Sequence, residues 1–280
     1  MKLRELFDEG SNILEENGII SPAVDAFYLL EYAAGVDRKT YLLNKEHQVA
    51  SNIVQKYLEV IDIRANHVPY QYIIGTAQFM GFEIKVTPDV LIPRFDTEIL
   101  CEIALKLIPE NGKVLDMCTG SGCISLAVKC IRDDLHVFAS DISEKALDIS
   151  KKNALAYGAD ITFIQSDLFD LFDPDEKFDC IISNPPYVTD EEYDDLDPEV
   201  KEHEPSLALK GGVDGMDIYN RLIPDSVNYL KHGGWLTLEI GCLQSAEVEY
   251  LMTKNGFVNV MTKKDLADLD RVVIGQRPIK

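Results

Sequence analysis

Basic side chains are scarce in this sequence. Against 48 aspartates and glutamates stand 27 lysines and arginines, a formal net charge of −21 at pH 7. Residues 1–75 carry 7 basic and 11 acidic side chains, and the remainder carries 20 and 37. A duplex-DNA binder displaces phosphate counterions with a basic stripe. Nothing here supplies one, so no stable nucleic-acid partner is expected. An acidic surface suits a basic or neutral protein partner, and serves solubility equally well. No apolar run reaches membrane-spanning length, and the charged, amphipathic MKLRELFDEG is not a signal peptide. The expectation is a cytoplasmic protein with no membrane partner. No CxxC pair occurs among the six cysteines, at 101, 118, 123, 130, 180 and 242. Free thiols in a reducing compartment follow. With no histidine cluster beside Cys118 and Cys123, no metal is expected. Internal repeats, low-complexity tracts, and a His, Ser or Cys constellation for hydrolysis are also absent.

What is present is an ordinary core-forming composition: 280 residues, 46% apolar and 27% charged. That length allows one large domain or two smaller ones. Residues 2–66 follow helical spacing, with Ser21-Pro22 reading as an N-cap followed by proline at the first helical position. The expectation is a small all-α bundle over 1–69. Aromatic and β-branched residues then alternate with polar ones around Gly75 and Gly81, which predicts a hairpin linker over 70–92. From 93 to 280 helix and strand patterns alternate: KVLDM, CISLAVKCI, LHVFAS, SEKALDISKKNALAYG, ITFIQ, FDCIIS, then WLTLEI and two closing strands. Such alternation predicts an α/β domain with a parallel, doubly wound, Rossmann-like sheet. Residues 188–214 read as an acidic loop.

Four strand ends carry the candidate chemistry. The first is VLDMCTGSGCIS, 114–125, a strand ending at Asp116 and a small-residue turn opening a helix. Small residues let backbone approach a ligand, and the helix start offers free N–H groups. Ser125 fails the dinucleotide pattern, and no Gly-Lys-Ser/Thr of a phosphate loop follows. The remaining readings are the acidic-x-Gly-x-Gly-x-Gly turn of S-adenosylmethionine enzymes, with Cys118 at its first glycine position, or plain strand–turn–helix packing. The second is Asp141, 19 residues beyond Gly122, suited to accept from two ribose hydroxyls; as a helix cap, Ser143 suits better. The third is SDLFD, 166–170: Asp167 can accept from an adenine amino group and Leu168 can pack on the ring, whereas Phe169 reads as core. The fourth is Asn184-Pro185-Pro186-Tyr187. Two prolines end the FDCIIS strand because neither has an N–H for the ladder. In a doubly wound sheet, ligands sit at such carboxyl ends.

An amide or aromatic amine nitrogen is a poor nucleophile because its lone pair is delocalised. The Asn184 side-chain carbonyl and the Pro185 backbone carbonyl can accept both N–H bonds of a substrate NH2, orienting it and favouring charge on nitrogen as it attacks. Pro185 and Pro186 stiffen these acceptors. Tyr187 can stack on the planar group and attract a cationic methyl donor.

These segments resemble the protein-(glutamine-N5) methyltransferases that act on peptide chain release factors (HemK/PrmC type), over nearly the whole chain. VLIPRFDTE (90–98) is similar to the family's interdomain segment. VLDMCTGSGCIS, DISEKALDISKKNA and FDCIISNPPY resemble its cofactor and catalytic motifs in order. EVKEHEPSLALKGGVDGMDIYNRL (199–222) is similar to the stretch that follows, and GGWLTLEIG and DLADLDRVV to its closing strands. The resemblance implies S-adenosylmethionine as cofactor, released as S-adenosylhomocysteine. It implies, as substrate, the Gly-Gly-Gln glutamine of class-1 release factors, with the helical domain holding the release factor. It places cofactor contacts at Cys118, Thr119, Gly120, Ser121, Gly122, Asp141, Leu168 and Asn184, to which the strand-end reading adds Asp116 and Asp167, and the substrate amide at Asn184, Pro185, Pro186 and Tyr187. The sequence departs from the family pattern at Cys118 (usually Gly), Leu168 (often Trp), Phe95 and Asp96 (usually Pro and Glu) and Leu269 (usually Gly). The tetrad also occurs in DNA adenine methyltransferases. An N6-adenine enzyme and a non-catalytic S-adenosylmethionine-binding module therefore stand as the alternatives.

Overall fold

Leu3, Leu6 and Leu14 recur at helical spacing and form one buried face of the first helix, which meets the buried Leu29, Leu30, Tyr57 and Ile61 of two others. The computed structural model describes residues 1–279. Its first elements are α1 (Leu3–Glu16), α2 (Pro22–Ala34), α3 (Arg38–Asn44), α4 (Ser51–Ala65), α5 (Tyr70–Ile74), β1 (Thr76–Phe79) and β2 (Phe82–Lys85). There follow α6 (Phe95–Leu107), β3 (Lys113–Met117), α7 (Cys123–Ile131), β4 (His136–Asp141), α8 (Glu144–Tyr157), β5 (Ile161–Gln165) and β6 (Phe178–Ser183). The last are α9 (Asp190–Asp194), α10 (Pro198–His203), α11 (Asp217–Tyr229), β7 (Leu230–Glu239), α12 (Ser245–Lys254), β8 (Val258–Lys264) and β9 (Asp270–Gln276). Among the described residues no helix is long and apolar enough to cross a membrane.

The chain divides into two compact units. One comprises Met1–Thr76 together with Asp197–His203, and the other Ala77–Leu196 with Glu204–Lys280. The sequence reading, with its cuts at 69 and 92, had not joined α10 to the helical part. Within the helical unit a buried ion cluster makes that join: Arg64 Nε donates to Asp25 Oδ2 at 2.7 Å, and another guanidinium nitrogen bonds Glu199 of α10. Two local expectations change here. Ser21 holds the N-cap position of α2 but its side chain makes no capping bond. Tyr70–Ile74 is a helical turn rather than a strand, ended by Gly75 in the left-handed region at φ +83°.

The α/β unit is built on a seven-stranded sheet of order β5-β4-β3-β6-β7-β9-β8. Strands β3 to β7 run parallel; β9 is antiparallel to β7, and β8 to β9. The sheet is therefore mixed: the expected doubly wound, Rossmann-like arrangement holds, and its last two strands run antiparallel. Central strands are covered on both faces, which is why KVLDM and FDCIIS read as nearly continuous apolar runs. Chain order reverses at β3, whose neighbours are β4 and β6. That is the switch point where a crevice opens beyond the strand ends. The region 188–214 is not plain loop: it holds α9, α10 and a 3₁₀ turn at Ser206–Ala208.

Candidate active site

The β3 end is organised around a buried carboxylate. Asp116 Oδ2 accepts the Thr119 hydroxyl at 2.5 Å and the Ser125 N–H at 3.0 Å. Its Oδ1 is buried with no hydrogen-bond partner. Loss of hydration pushes its pKa up to about 7, against the pull of the bonds from Thr119 and Ser125. The turn beyond it needs left-handed backbone at alternate positions: φ is +63° at Cys118, +55° at Gly120 and +79° at Gly122. A β-carbon on Gly122 would stand 2.0 Å from Ser150 Oγ. Thr119 and Ser121 are buried behind the turn, and the Ser121 carbonyl accepts Asn153 Nδ2 at 2.8 Å.

Four strand ends converge on one cavity of about 290 Å³. Cys118, Gly120, Asp141, Asp167, Leu168, Asn184 and Pro186 line it. Of the candidates, Asp116, Thr119, Ser121, Gly122, Pro185 and Tyr187 do not. Asp141 Oδ2 accepts the Gly120 N–H at 2.8 Å and Oδ1 the Ser143 N–H at 2.9 Å, so this carboxylate ties the β3 turn to the β4 end. Each oxygen keeps a further lone pair. Desolvation raises the pKa of Asp141, and the N–H bonds from Ser143 and Gly120 oppose it. Ser143, as expected, caps α8 through the Ala146 N–H. Asp167 pairs with Arg221 at 2.9 Å. Leu168 is buried at φ +48°, an uncommon conformation for a bulky side chain. Phe169 stacks on Tyr229 in the core, ring centroids 4.3 Å apart.

At the β6 end, Asn184 Nδ2 donates to Thr97 Oγ1 at 3.1 Å. Tyr187 does not stack over the cavity. Its ring packs against the core of the sheet, and its hydroxyl donates to Glu239 Oε1 at 3.3 Å. Burial pushes the pKa of this phenol up, with the neighbouring Glu239 carboxylate adding to the effect. Glu239 itself is buried at the end of β7, and desolvation carries its pKa up to about 7, opposed by Thr97, Arg271 and Tyr187.

The segment after α10 explains why this stretch of sequence is so rich in glycine. Val188 N–H donates to Leu209 O at 2.9 Å and Gly211 N–H to Val188 O at 2.8 Å, a short parallel bridge alongside the tetrad. Gln244 Nε2 donates to Tyr187 O at 3.0 Å. Glu204 accepts the Ile92 N–H at 3.2 Å and bonds Arg94. Pro205, Leu207, Ala208 and Lys210 then line the cavity as well. VLIPRFDTE and EPSLALKGG, joined through Glu204, thus both contribute to the cavity lining.

Residues 5–75 match the PrmC N-terminal domain and residues 94–199 the methyltransferase small domain. A release factor glutamine methyltransferase of Geobacter sulfurreducens is 36% identical over 98% of this chain and 96% of its own. One of Koribacter versatilis is 38% identical over 99% of each. The chain belongs to the release factor glutamine methyltransferase family. Among solved structures, a methyltransferase from Pyrococcus furiosus superposes with a TM-score of 0.56 at 19% identity, covering 79% of this chain and 99% of that one. A T. thermophilus 16S rRNA N2 G1207 methyltransferase in complex with AdoMet and guanosine gives 0.55 at 17% identity, over 72% and 49%. These likenesses show a Rossmann-like methyltransferase fold.

Four residues of this family member escaped the sequence reading: Thr97, Glu239, Gln244 and Arg221. Glu239 had a signal, a lone acid closing the apolar strand WLTLEI. The others sit in ordinary helical patterns, and only tertiary contact reveals them.

Proposed function

We propose that this protein transfers a methyl group from S-adenosylmethionine to the side-chain amide nitrogen, N5, of the glutamine in the Gly-Gly-Gln motif of class-1 peptide chain release factors. The carrying observation is near full-length identity of 35–38% to relatives named for that activity. The site chemistry agrees with it. S-adenosylmethionine supplies an electrophilic methyl group when bound, and leaves as S-adenosylhomocysteine.

The residues present fit that cofactor. The cavity approaches the lower end of small-molecule sites, which run from roughly 300 Å³ upward. Cys118 and Gly120 offer close backbone approach, and Asp141 has lone pairs left for ribose hydroxyls. Leu168 offers an apolar surface to the base, and Asp167 an acceptor for its amino group. Asp116, Thr119, Ser121 and Gly122 hold the shape of the turn from behind.

For the substrate, Asn184 is the main contact. Because its NH2 group is engaged by Thr97, its carbonyl oxygen is the free acceptor. That oxygen and the Pro185 carbonyl accept the two N–H bonds of the glutamine amide. They stabilise the positive charge that builds on nitrogen, so no general base is needed before transfer. Pro186 closes the cavity wall, and Tyr187 anchors the tetrad through Glu239. The helical unit receives the release factor body, and the setting is the cytoplasm.

The tetrad would serve any planar NH2, so an adenine base is the natural rival substrate. The charge of −21 opposes a polyanion. Labelled methyl transfer in parallel to a class-1 release factor, DNA and RNA at physiological salt tests the proposal. Label confined to the protein supports it; label in nucleic acid alone overturns it. Donor binding with no methyl transfer to any of the three would leave the non-catalytic S-adenosylmethionine-binding module.

A further inference from the structure

Two side chains of α8, one helical turn apart, hold the backbone of β2. Tyr157 Oη accepts the Glu83 N–H at 2.8 Å and donates to the Glu83 carbonyl at 3.1 Å. Asn153 Oδ1 accepts the Lys85 N–H at 2.8 Å, and its Nδ2 donates to the Lys85 carbonyl at 3.0 Å. The second proton of that NH2 goes to the Ser121 carbonyl at 2.8 Å, in the turn that follows β3. Asn153 is buried. One acceptor and two donors are used at one position, a set that a carboxamide supplies and a carboxylate does not. The reversed amide would set its oxygen against two carbonyls, so these partners fix its orientation.

Ser121 lies between two left-handed glycines, Gly120 at φ +55° and Gly122 at φ +79°. Glycine adopts either sign of φ, so the Ser121–Gly122 peptide can turn over unless something holds it. A peptide is planar and trans, and its C=O and N–H point opposite ways. Holding the Ser121 carbonyl therefore aims the Gly122 N–H, which donates to Thr119 O at 2.8 Å. Asp141 does the same for Gly120, accepting its N–H at 2.8 Å. The turn is thus held from two sides, by the end of β4 and by α8. We propose that Asn153 is a positioning residue for cofactor binding: it locks the Ser121–Gly122 peptide and so preorganises the turn that receives S-adenosylmethionine. Backbone already in its bound shape loses less binding energy to ordering. The lock stands on the geometry alone; its effect on the cofactor rests on the function proposed above.

Two full-length variants separate the lock on the turn from the hold on β2. Asn153→Asp keeps the acceptor for Lys85 and loses both donors. Tyr157→Phe cuts the Glu83 bonds and leaves the turn alone. Calorimetry with S-adenosylhomocysteine is expected to give an affinity about 10- to 100-fold weaker in Asn153→Asp, the scale of one hydrogen bond lost from a buried group. In Tyr157→Phe it stays within about 2-fold of wild type. KM for S-adenosylmethionine rises in step in Asn153→Asp, while kcat at saturation stays within about 2-fold, the pattern of lost uniform binding. Independently of any ligand, amide hydrogen exchange at Gly122, read by NMR, is faster than wild type in Asn153→Asp and unchanged in Tyr157→Phe. Wild-type affinity in Asn153→Asp, or an equal loss in Tyr157→Phe, overturns the inference. Should wild type itself bind no S-adenosylhomocysteine, the function proposed above falls, and exchange at Gly122 decides the lock alone. If Asn153→Asp does not fold, Asn153→Ala, which buries no charge, takes its place with the same expectations.

Discussion

A β-carbon placed on Gly211 would lie 2.8 Å from the Tyr187 Cα and 2.8 Å from the Gly215 carbonyl oxygen. Both neighbours are backbone, so neither can step aside without moving the tetrad or the loop that borders it. Gly211→Ala is therefore expected to cut kcat by about 100-fold while donor binding persists. Steady-state kinetics paired with calorimetry checks this, and a wild-type kcat would show that the contact is tolerated.

Glu204 links two segments that contribute to the cavity lining, accepting the Ile92 N–H and holding Arg94. Its side chain is buried, whereas Arg94 is 38% exposed and can rehydrate if released. The main cost of Glu204→Ala is thus the stranded Ile92 N–H, about 1–3 kcal/mol of stability. Urea denaturation of the α/β unit's transition measures it; no change in midpoint would mean the loop re-pairs elsewhere.

Cys118 occupies a left-handed position at φ +63°, where a side chain costs on the order of 1 kcal/mol and glycine costs none. Cys118→Gly should melt above Cys118→Ala, since both lose the thiol and only alanine keeps the strain. The reverse order of melting temperatures would show that β-carbon packing and the lower chain entropy of alanine outweigh the left-handed strain.

Glu239 carries a pH signature of definite sign. Its folded pKa, raised chiefly by desolvation to about 7, lies above the ordinary 4.5. Thr97, Arg271 and Tyr187 oppose the rise, and Asp96 adds to it. Between those two values the native state binds more protons than the unfolded chain, so this group's contribution to stability falls as pH rises. Glu239→Gln removes that dependence. Relative to wild type, it should gain stability from pH 5 to pH 8, by at most about 3 kcal/mol. Denaturation midpoints of both proteins at several pH values test this; parallel curves would contradict it.

Much of the α/β unit was legible because its strands and helices have clean periodicity. KVLDM and CISLAVKCI form β3 and α7 with the bounds read from sequence. Strand direction leaves no such trace, so the antiparallel β8 and β9 came only with the structure. YQYII misled because its aromatic and β-branched residues favour strands, while the chain between Pro69 and Gly75 closes a single helical turn. The short α9 was hidden in an acidic run, although its Thr189/Glu192 capping box is readable in retrospect. At the candidate site, the sequence placed residues at the strand ends and said nothing of their depth. Asp116 and Tyr187 lie behind the cavity, because a motif gives order along the chain and not distance from solvent. Thr97 and Asn184, 87 positions apart in sequence, meet only once α6 packs on the sheet.

The account turns on which atom is methylated. Purified protein, S-adenosylmethionine and an unmodified class-1 release factor are incubated, and the release factor is digested and mapped by tandem mass spectrometry. One methyl group on the glutamine of the Gly-Gly-Gln peptide, absent with Asn184→Ala, is the predicted result. An unmodified Gly-Gly-Gln peptide, or a methyl group on any other residue instead, would contradict it.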